Sequence, residues 1–101
     1  MIIYNVTTHI NNAVAADWLT WMKESHIPEV MKTNCFTEYK IVRLLETDES
    51  EGLTYAIQYY AAFKSDYNRY IELYATALRA QTITKWGNSF IAFRSLMEVV
   101  D

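Results

Sequence analysis

Between Ile2 and Ile10 apolar and polar residues alternate: Ile2, Tyr4, Val6 and Ile10 share one side, and Asn5, Thr7 and His9 the other. That period of two predicts a strand with one face buried. Asn11 and Asn12 follow, and their side-chain oxygens can accept from the unpaired N–H groups of a starting turn. From Ala13 the period lengthens. Val14, Trp18, Trp21, Met22 and Ser25 recur at helical spacing, with Asp17, Thr20, Lys23 and Glu24 largely opposite. The helix should stop at His26, because Pro28 biases Ile27 out of the helical region and is itself suited to open a new short turn through Met31.

Two further strands are predicted at residues 36–46 ("FTEYKIVRLLE") and 53–63 ("LTYAIQYYAAF"), joined through the polar "TDESEG", which ends in glycine as a hairpin loop requires. Ser65 and Asp66 supply an N-cap and a first-turn carboxylate for a second helix with an apolar face of Tyr67, Tyr70, Ile71, Tyr74 and Leu78. Past Arg79 the pattern blurs, and a short extra turn with Ile83 and Trp86 should run into Gly87 as C-cap. "SFIAFRSLMEVV", Ser89 to Val100, completes a fourth strand. No repeat, linker or low-complexity stretch divides the chain, so residues 1–101 form a single domain. With right-handed crossovers, the order βαββαβ predicts an α+β ferredoxin-like fold: a four-stranded antiparallel sheet with two helices on one face.

One sheet face is then left without helices. Strand parity places Asn5, Thr7 and His9 there with Ala56, Gln58 and Tyr60, and assigns Phe90, Ala92, Arg94 and Leu96 from the fourth strand. The second strand mixes charge and apolar bulk on both faces and resists this assignment. Such a surface is too apolar for free solvent and too polar for a dry core. A homodimer that packs two such faces through an isologous interface resolves the conflict.

Composition narrows the partners. The chain of 101 residues has 51% hydrophobic and 21% charged residues, a net charge of −3, and its Lys and Arg residues are scattered. That balance argues against nucleic acid. No apolar run reaches the ~18 residues of a membrane span, and no leader pattern precedes "MIIYNVTTHI". A lone cysteine, Cys35, fits a reducing compartment, and a cytoplasmic location is expected. Two histidines and one cysteine without ligand spacing argue against a metal site, and no Gly-rich phosphate loop is present, so no cofactor is expected.

The stretch from Trp18 through "KESHIPEV", with "FTEYKIVRLL", "LTYAIQYY" and "WGNSFIAFRSLMEV", resembles a small uncharacterised bacterial domain family of the dimeric α/β-barrel superfamily. Its "HIP" turn is also similar to that of the ethyl tert-butyl ether degradation protein family. The resemblance covers essentially the whole chain. It implies a dimer with a pocket between sheet and helices, in a superfamily that includes oxygenases, isomerases and members without known chemistry. A haem-degrading member should carry an axial histidine on its second helix, and residues 65–86 contain none.

Within that frame His26 is the candidate catalytic group, as a base or donor at the pocket mouth; the competing reading is a histidine placed to bond the last carbonyls of its helix. Asn5, His9, Gln58, Tyr60 and Arg94 are the candidate ligand-binding residues, Arg94 because a guanidinium can clamp a carboxylate. Two functions follow: a small-ligand-binding or accessory dimeric module, or a cofactor-independent enzyme acting on a small organic substrate, with His26 in proton transfer.

Overall fold

Alternation along the first strand becomes a division between two environments. In the computed structural model, which describes residues 1–101, Ile2, Tyr4, Thr8 and Ile10 of β1 (Ile2–Asn11) are buried beneath helices, while Thr7 and His9 remain part-exposed on the other side. Next comes a continuous helical arm: α1 (Ala15–Trp21), a π-helical turn (Met22–His26) and α2 (Ile27–Met31). Then come β2 (Glu38–Arg43), β3 (Gly52–Ala61), a second arm of α3 (Lys64–Leu73) and α4 (Ala75–Trp86), and β4 (Phe90–Glu98). The strands lie in the order β2-β3-β1-β4, every neighbouring pair antiparallel. This is the ferredoxin-like α+β arrangement, with both arms on one face. No helix is long and apolar enough to cross a membrane.

The core lies between arms and sheet. Trp18, Ile10, Ile27, Val30, Ile57 and Tyr59 are its largest fully buried side chains. Tyr4 sits inside an aromatic cluster, with ring centroids of Phe36, Tyr59, Tyr67 and Tyr70 at 6.1, 6.0, 5.4 and 5.7 Å. Such offset and tilted pairs each add about 0.5–1.5 kcal/mol beyond area burial.

Four local expectations change. Ile27 is helical (φ −61°, ψ −44°), so the helix does not stop at His26. Pro28 has no N–H to donate back into the helix, and the chain accommodates the gap with a wider turn in which the Ile27 N–H bonds the Met22 carbonyl. The second arm starts earlier than Ser65: Phe63 is the N-cap, its N–H held by the Asp66 carboxylate at 3.3 Å. That arm also runs unblurred to Trp86 after a bend at Tyr74 (φ −127°), and Gly87 ends it at φ 55°, where other residues are strained. β2 is shorter than expected: Phe36 and Thr37 belong to the connection that precedes it, and residues 44–46 to the connection to β3. Gly52 is required there by close approach, since a Cβ would meet the Ile10 carbonyl and the His9 ring.

A fifth correction concerns β4. Its pairing sets Phe90 opposite Ile10, Ala92 opposite Thr8, Arg94 opposite Val6 and Leu96 opposite Tyr4. Directly opposed residues share a sheet face. Phe90, Ala92, Arg94 and Leu96 therefore point to the helix side, not to the uncovered face. Ile91, Phe93, Ser95 and Met97 take the uncovered side, with Ile91 59% and Phe93 66% exposed. β4 is apolar on both faces, so its own alternation carries no sign; only the register against β1 supplies one.

Candidate functional site

Beneath the two arms, near β4, the core is incompletely filled. A cleft opens there, floored by Tyr4 and Val6 of β1 and by Phe90, Ala92 and Arg94 of β4, and roofed by Trp18, His26, Arg79 and Thr82. Its empty volume is about 500 Å³ with the open mouth included, but only about 40 Å³ admits the centre of a water molecule. The resting cleft is thus small, with room for a few waters.

Two cations meet at its floor. Arg79 on α4 donates from Nη2 to the Tyr4 hydroxyl at 3.0 Å, and Arg94 on β4 donates from Nε to the same oxygen at 3.2 Å. Neither guanidinium has a carboxylate partner: the ion pairs of the protein are Lys32–Glu29, Arg43–Glu49 and Arg69–Asp66. No Asp or Glu lines the cleft. Nε of Arg79 is buried and has no hydrogen-bond partner. Burial raises the phenols of Tyr59 and Tyr70 well above their ordinary range, so neither supplies a compensating negative charge at neutral pH. A phenol oxygen with two lone pairs accepts both arginines and keeps its own proton to donate.

His26 reaches the cleft from the π turn. Without the extra residue of that turn, the ring would sit on a different azimuth of the arm. It stacks on Trp21, centroids 5.2 Å apart, and its Nδ1 lies 3.5 Å from the Thr82 hydroxyl. Burial, and secondarily the Arg94 charge, lower its pKa from 6.5 to about 4. The imidazole is therefore neutral at pH 7. The Thr82 hydroxyl also donates to the Leu78 carbonyl at 3.2 Å; in the tautomer whose Nδ1–H donates to Thr82, Nε2 is the acceptor left to the cleft.

The residues singled out in the sequence separate into two groups. His26 and Arg94 line the cleft. Asn5, His9, Gln58 and Tyr60 lie on the opposite, uncovered face of the sheet, where Asn5 pairs with Gln58 and His9 with Thr54 across β1 and β3. There Asn5 donates to Thr7 at 2.9 Å, Tyr60 to Gln58 at 3.4 Å, and His9 Nδ1 lies 3.0 Å from the Thr54 hydroxyl. Asn5 is only 7% exposed, yet its Oδ1 has no partner. These residues do not share a site with His26.

Tyr4, Arg79 and Thr82 escaped the sequence reading. A signal existed for two of them. Ala75, Leu78, Arg79, Thr82 and Trp86 form one helical stripe on the core side of α4, and Arg79 and Thr82 are polar residues in apolar positions of that stripe. The apparent blurring of the pattern past Arg79 was this substitution. Tyr4 carried no such mark, since a tyrosine in a strand's buried face is ordinary core.

Fold and cleft together define a ferredoxin-like α+β domain with a helix-roofed cleft on one sheet face and an uncovered apolar face on the other. Over residues 1–100 the chain matches the family described as "Domain of unknown function (DUF4286)", and it belongs to that family. No curated protein matches it. Among solved structures, it is similar to a dimeric ferredoxin-like protein from an uncultured marine organism (TM-score 0.74, 12% identity, covering 99% of this chain and 95% of that one). It is similar also to an ethyl tert-butyl ether degradation family protein from Bacillus halodurans (TM-score 0.66, 14% identity, 98% and 100% covered). A third is SnoaB of Streptomyces nogalater, described as a cofactor-independent oxygenase (TM-score 0.63, 9% identity, 99% and 94% covered). At these identities the likeness is one of fold.

Proposed function

We propose that the protein is a homodimeric small-ligand-binding module, each protomer taking up a small organic molecule in the cleft between sheet and helices. The observation that carries this reading is the cleft itself: apolar walls on which Tyr4, Arg79, Arg94 and His26 converge. A concave apolar site with a few convergent polar groups is the usual form of a ligand pocket. Dimerisation is supported from the other side of the sheet. Ile91, Phe93 and Met97 leave apolar surface in water, and Asn5 Oδ1 is buried without a partner. A second copy packed face to face covers the first and can reach the second. A marine relative in fold is described as dimeric. The lone buried thiol of Cys35 suits a reducing compartment, and we place the protein in the cytoplasm.

A ligand that binds the native state raises apparent stability by mass action. A thermal-shift screen of small organic compounds should give hits on the wild type that disappear in Ala92→Trp, whose indole fills the cleft. No hit in the wild type would sink the ligand reading. Sedimentation at micromolar concentration should give a dimer, and a monomer would contradict the assembly.

One observation favours a second reading, a cofactor-independent enzyme acting on a small organic substrate. His26 is neutral at physiological pH with Nε2 free, beside two guanidinium groups able to stabilise a developing oxyanion. Under that reading His26→Ala abolishes turnover of a bound compound while its affinity persists. Unchanged turnover would remove His26 from the chemistry.

A further inference from the structure

The polar floor of the cleft is unbalanced. Two guanidinium groups supply charged donors, and the side-chain acceptors that line the cleft with them are the hydroxyls of Tyr4, Thr8, Tyr59, Tyr70 and Thr82 and the His26 ring, none of them a carboxylate. Tyr4 accepts from both arginines but carries no charge to neutralise them. Arg79 keeps a buried N–H at Nε with nothing to bond. A buried donor left unpaired destabilises the empty state, and an anion entering the cleft would pair with it and meet the two guanidinium charges.

We propose that the ligand of this cleft is a small organic carboxylate with a compact apolar body, its carboxylate held beside the Tyr4 hydroxyl by Arg79 and Arg94. The proposal rests on the reading of the cleft as a ligand site and narrows it to one chemical class. Guanidinium forks match the two oxygens of a carboxylate, and the Tyr4 O–H adds a further donor. Arg79 is fixed from α4 at the inner end, whereas Arg94 reaches in from exposed strand β4 at the mouth. The apolar body meets Trp18, Ile57 and Phe90. The cleft's walls are mainly apolar and its resting volume is small, which favours a compact apolar body over a bulky polar one. His26 is consistent with this field: the Arg94 charge contributes to keeping its ring neutral, so it places no third cation near the carboxylate.

The test compares benzoate, cinnamate and 2-naphthoate with their primary amides by isothermal titration, on the wild type, Arg79→Gln, Arg79→Lys and Arg94→Gln. The wild type should bind at least one carboxylate about ten-fold or more tighter than its amide. Arg79→Gln should bring that ratio close to one without weakening the amide, and Arg79→Lys should keep part of it, having the charge without the fork. In the wild type, benzoate should also shift the Arg79 Nε–H nuclear magnetic resonance signal, a readout that needs no variant. If Arg79→Gln does not fold, Arg94→Gln at the exposed mouth carries the same comparison with a smaller loss. Equal binding of amides and carboxylates in the wild type would overturn the carboxylate assignment and leave the cleft reading standing. Binding of neither class would overturn both.

Discussion

The two faces of this one sheet hold similar residue types and solve opposite problems. On the helix side, Tyr4 brings a hydroxyl into the core and two arginines meet it, so polar groups are satisfied within a single chain except at Arg79 Nε and Trp86 Nε1. On the uncovered side, the polar residues also pair locally, as Asn5 with Thr7 and Tyr60 with Gln58, but the apolar groups of β4 have nothing to cover them. One face lacks an anion and the other lacks an apolar partner. A small molecule can complete the first, and only a surface of protein size can complete the second, which is why the same sheet supports both a ligand reading and a dimer reading.

That contrast can be broken from either side. The largest effect is expected from Trp18→Ala, which empties a fully buried position at the junction of core and cleft. Loss of about 3–5 kcal/mol in denaturant unfolding is expected, with ligand uptake lost alongside stability.

Next is the pH response of the cleft face. His26 is unfolded with a pKa near 6.5 and folded with one of about 4, so the unfolded chain binds the proton first as pH falls. The contribution of the neutral ring is complete above pH 6.5 and is lost as the pH drops toward 4, up to about 3 kcal/mol. The charge acting on the ring is that of Arg94, Arg79 is the other charged residue lining the cleft, and no carboxylate lies among the cleft residues to rescue the imidazolium. His26→Gln should therefore show a shallower loss of stability than the wild type between pH 6.5 and 4. Parallel curves for the two proteins would place the ring in a solvent-like environment.

On the uncovered face, Phe93→Asp should leave each protomer folded and weaken the dimer by about 100-fold or more, roughly 2.7 kcal/mol, because a two-fold interface buries the new charge twice. Sedimentation equilibrium checks it, and Arg94→Gln, one residue away on the opposite face, should leave assembly unchanged. A shared loss of dimer would show that the faces are not independent.

The smallest expected effect is Tyr4→Phe, which removes the common acceptor of two guanidinium groups and keeps the ring packing. A loss of about 1–2 kcal/mol is expected by thermal unfolding, with part of it restored by benzoate if the anion takes the place of the hydroxyl.

Much of this was legible along the chain. The alternation of β1, the turn chemistry at Asn11 (whose side chain accepts from Ala13 N–H at 2.9 Å), the end of the second arm at Gly87 and the element order all follow from local patterns. So did the importance of "SHIP", although its consequence differed: Pro28 did not end the helix but widened it into a π turn, because the arm is held on both sides by buried residues, Trp18 and Met22 before and Ile27 and Val30 after. Packing of the whole arm outweighs the local preference of the residue before proline. The face of Arg94 was not legible, since β4 offers apolar residues to both sides. Arg79 and Thr82 were marked in the pattern, as polar residues in a core stripe, but a stripe does not say what they touch.

By itself the sequence determined the kind and order of the elements, because hydrophobic period, caps and turn residues act over a few positions and are written locally. It also determined which side chains bring charge and acid–base chemistry, and that His26 stands next to a break in helical regularity. Tertiary structure alone decided which of them meet. Tyr4 and Arg79 are 75 positions apart, and Tyr4 and Arg94 are 90 apart, and no local period relates them. Their convergence depends on the register of β4 against β1 and on the rotation of α4 over the sheet. Both are settled by burying the whole apolar surface at once, so the cleft, its unbalanced charge and the uncovered face opposite it exist only in the assembled fold.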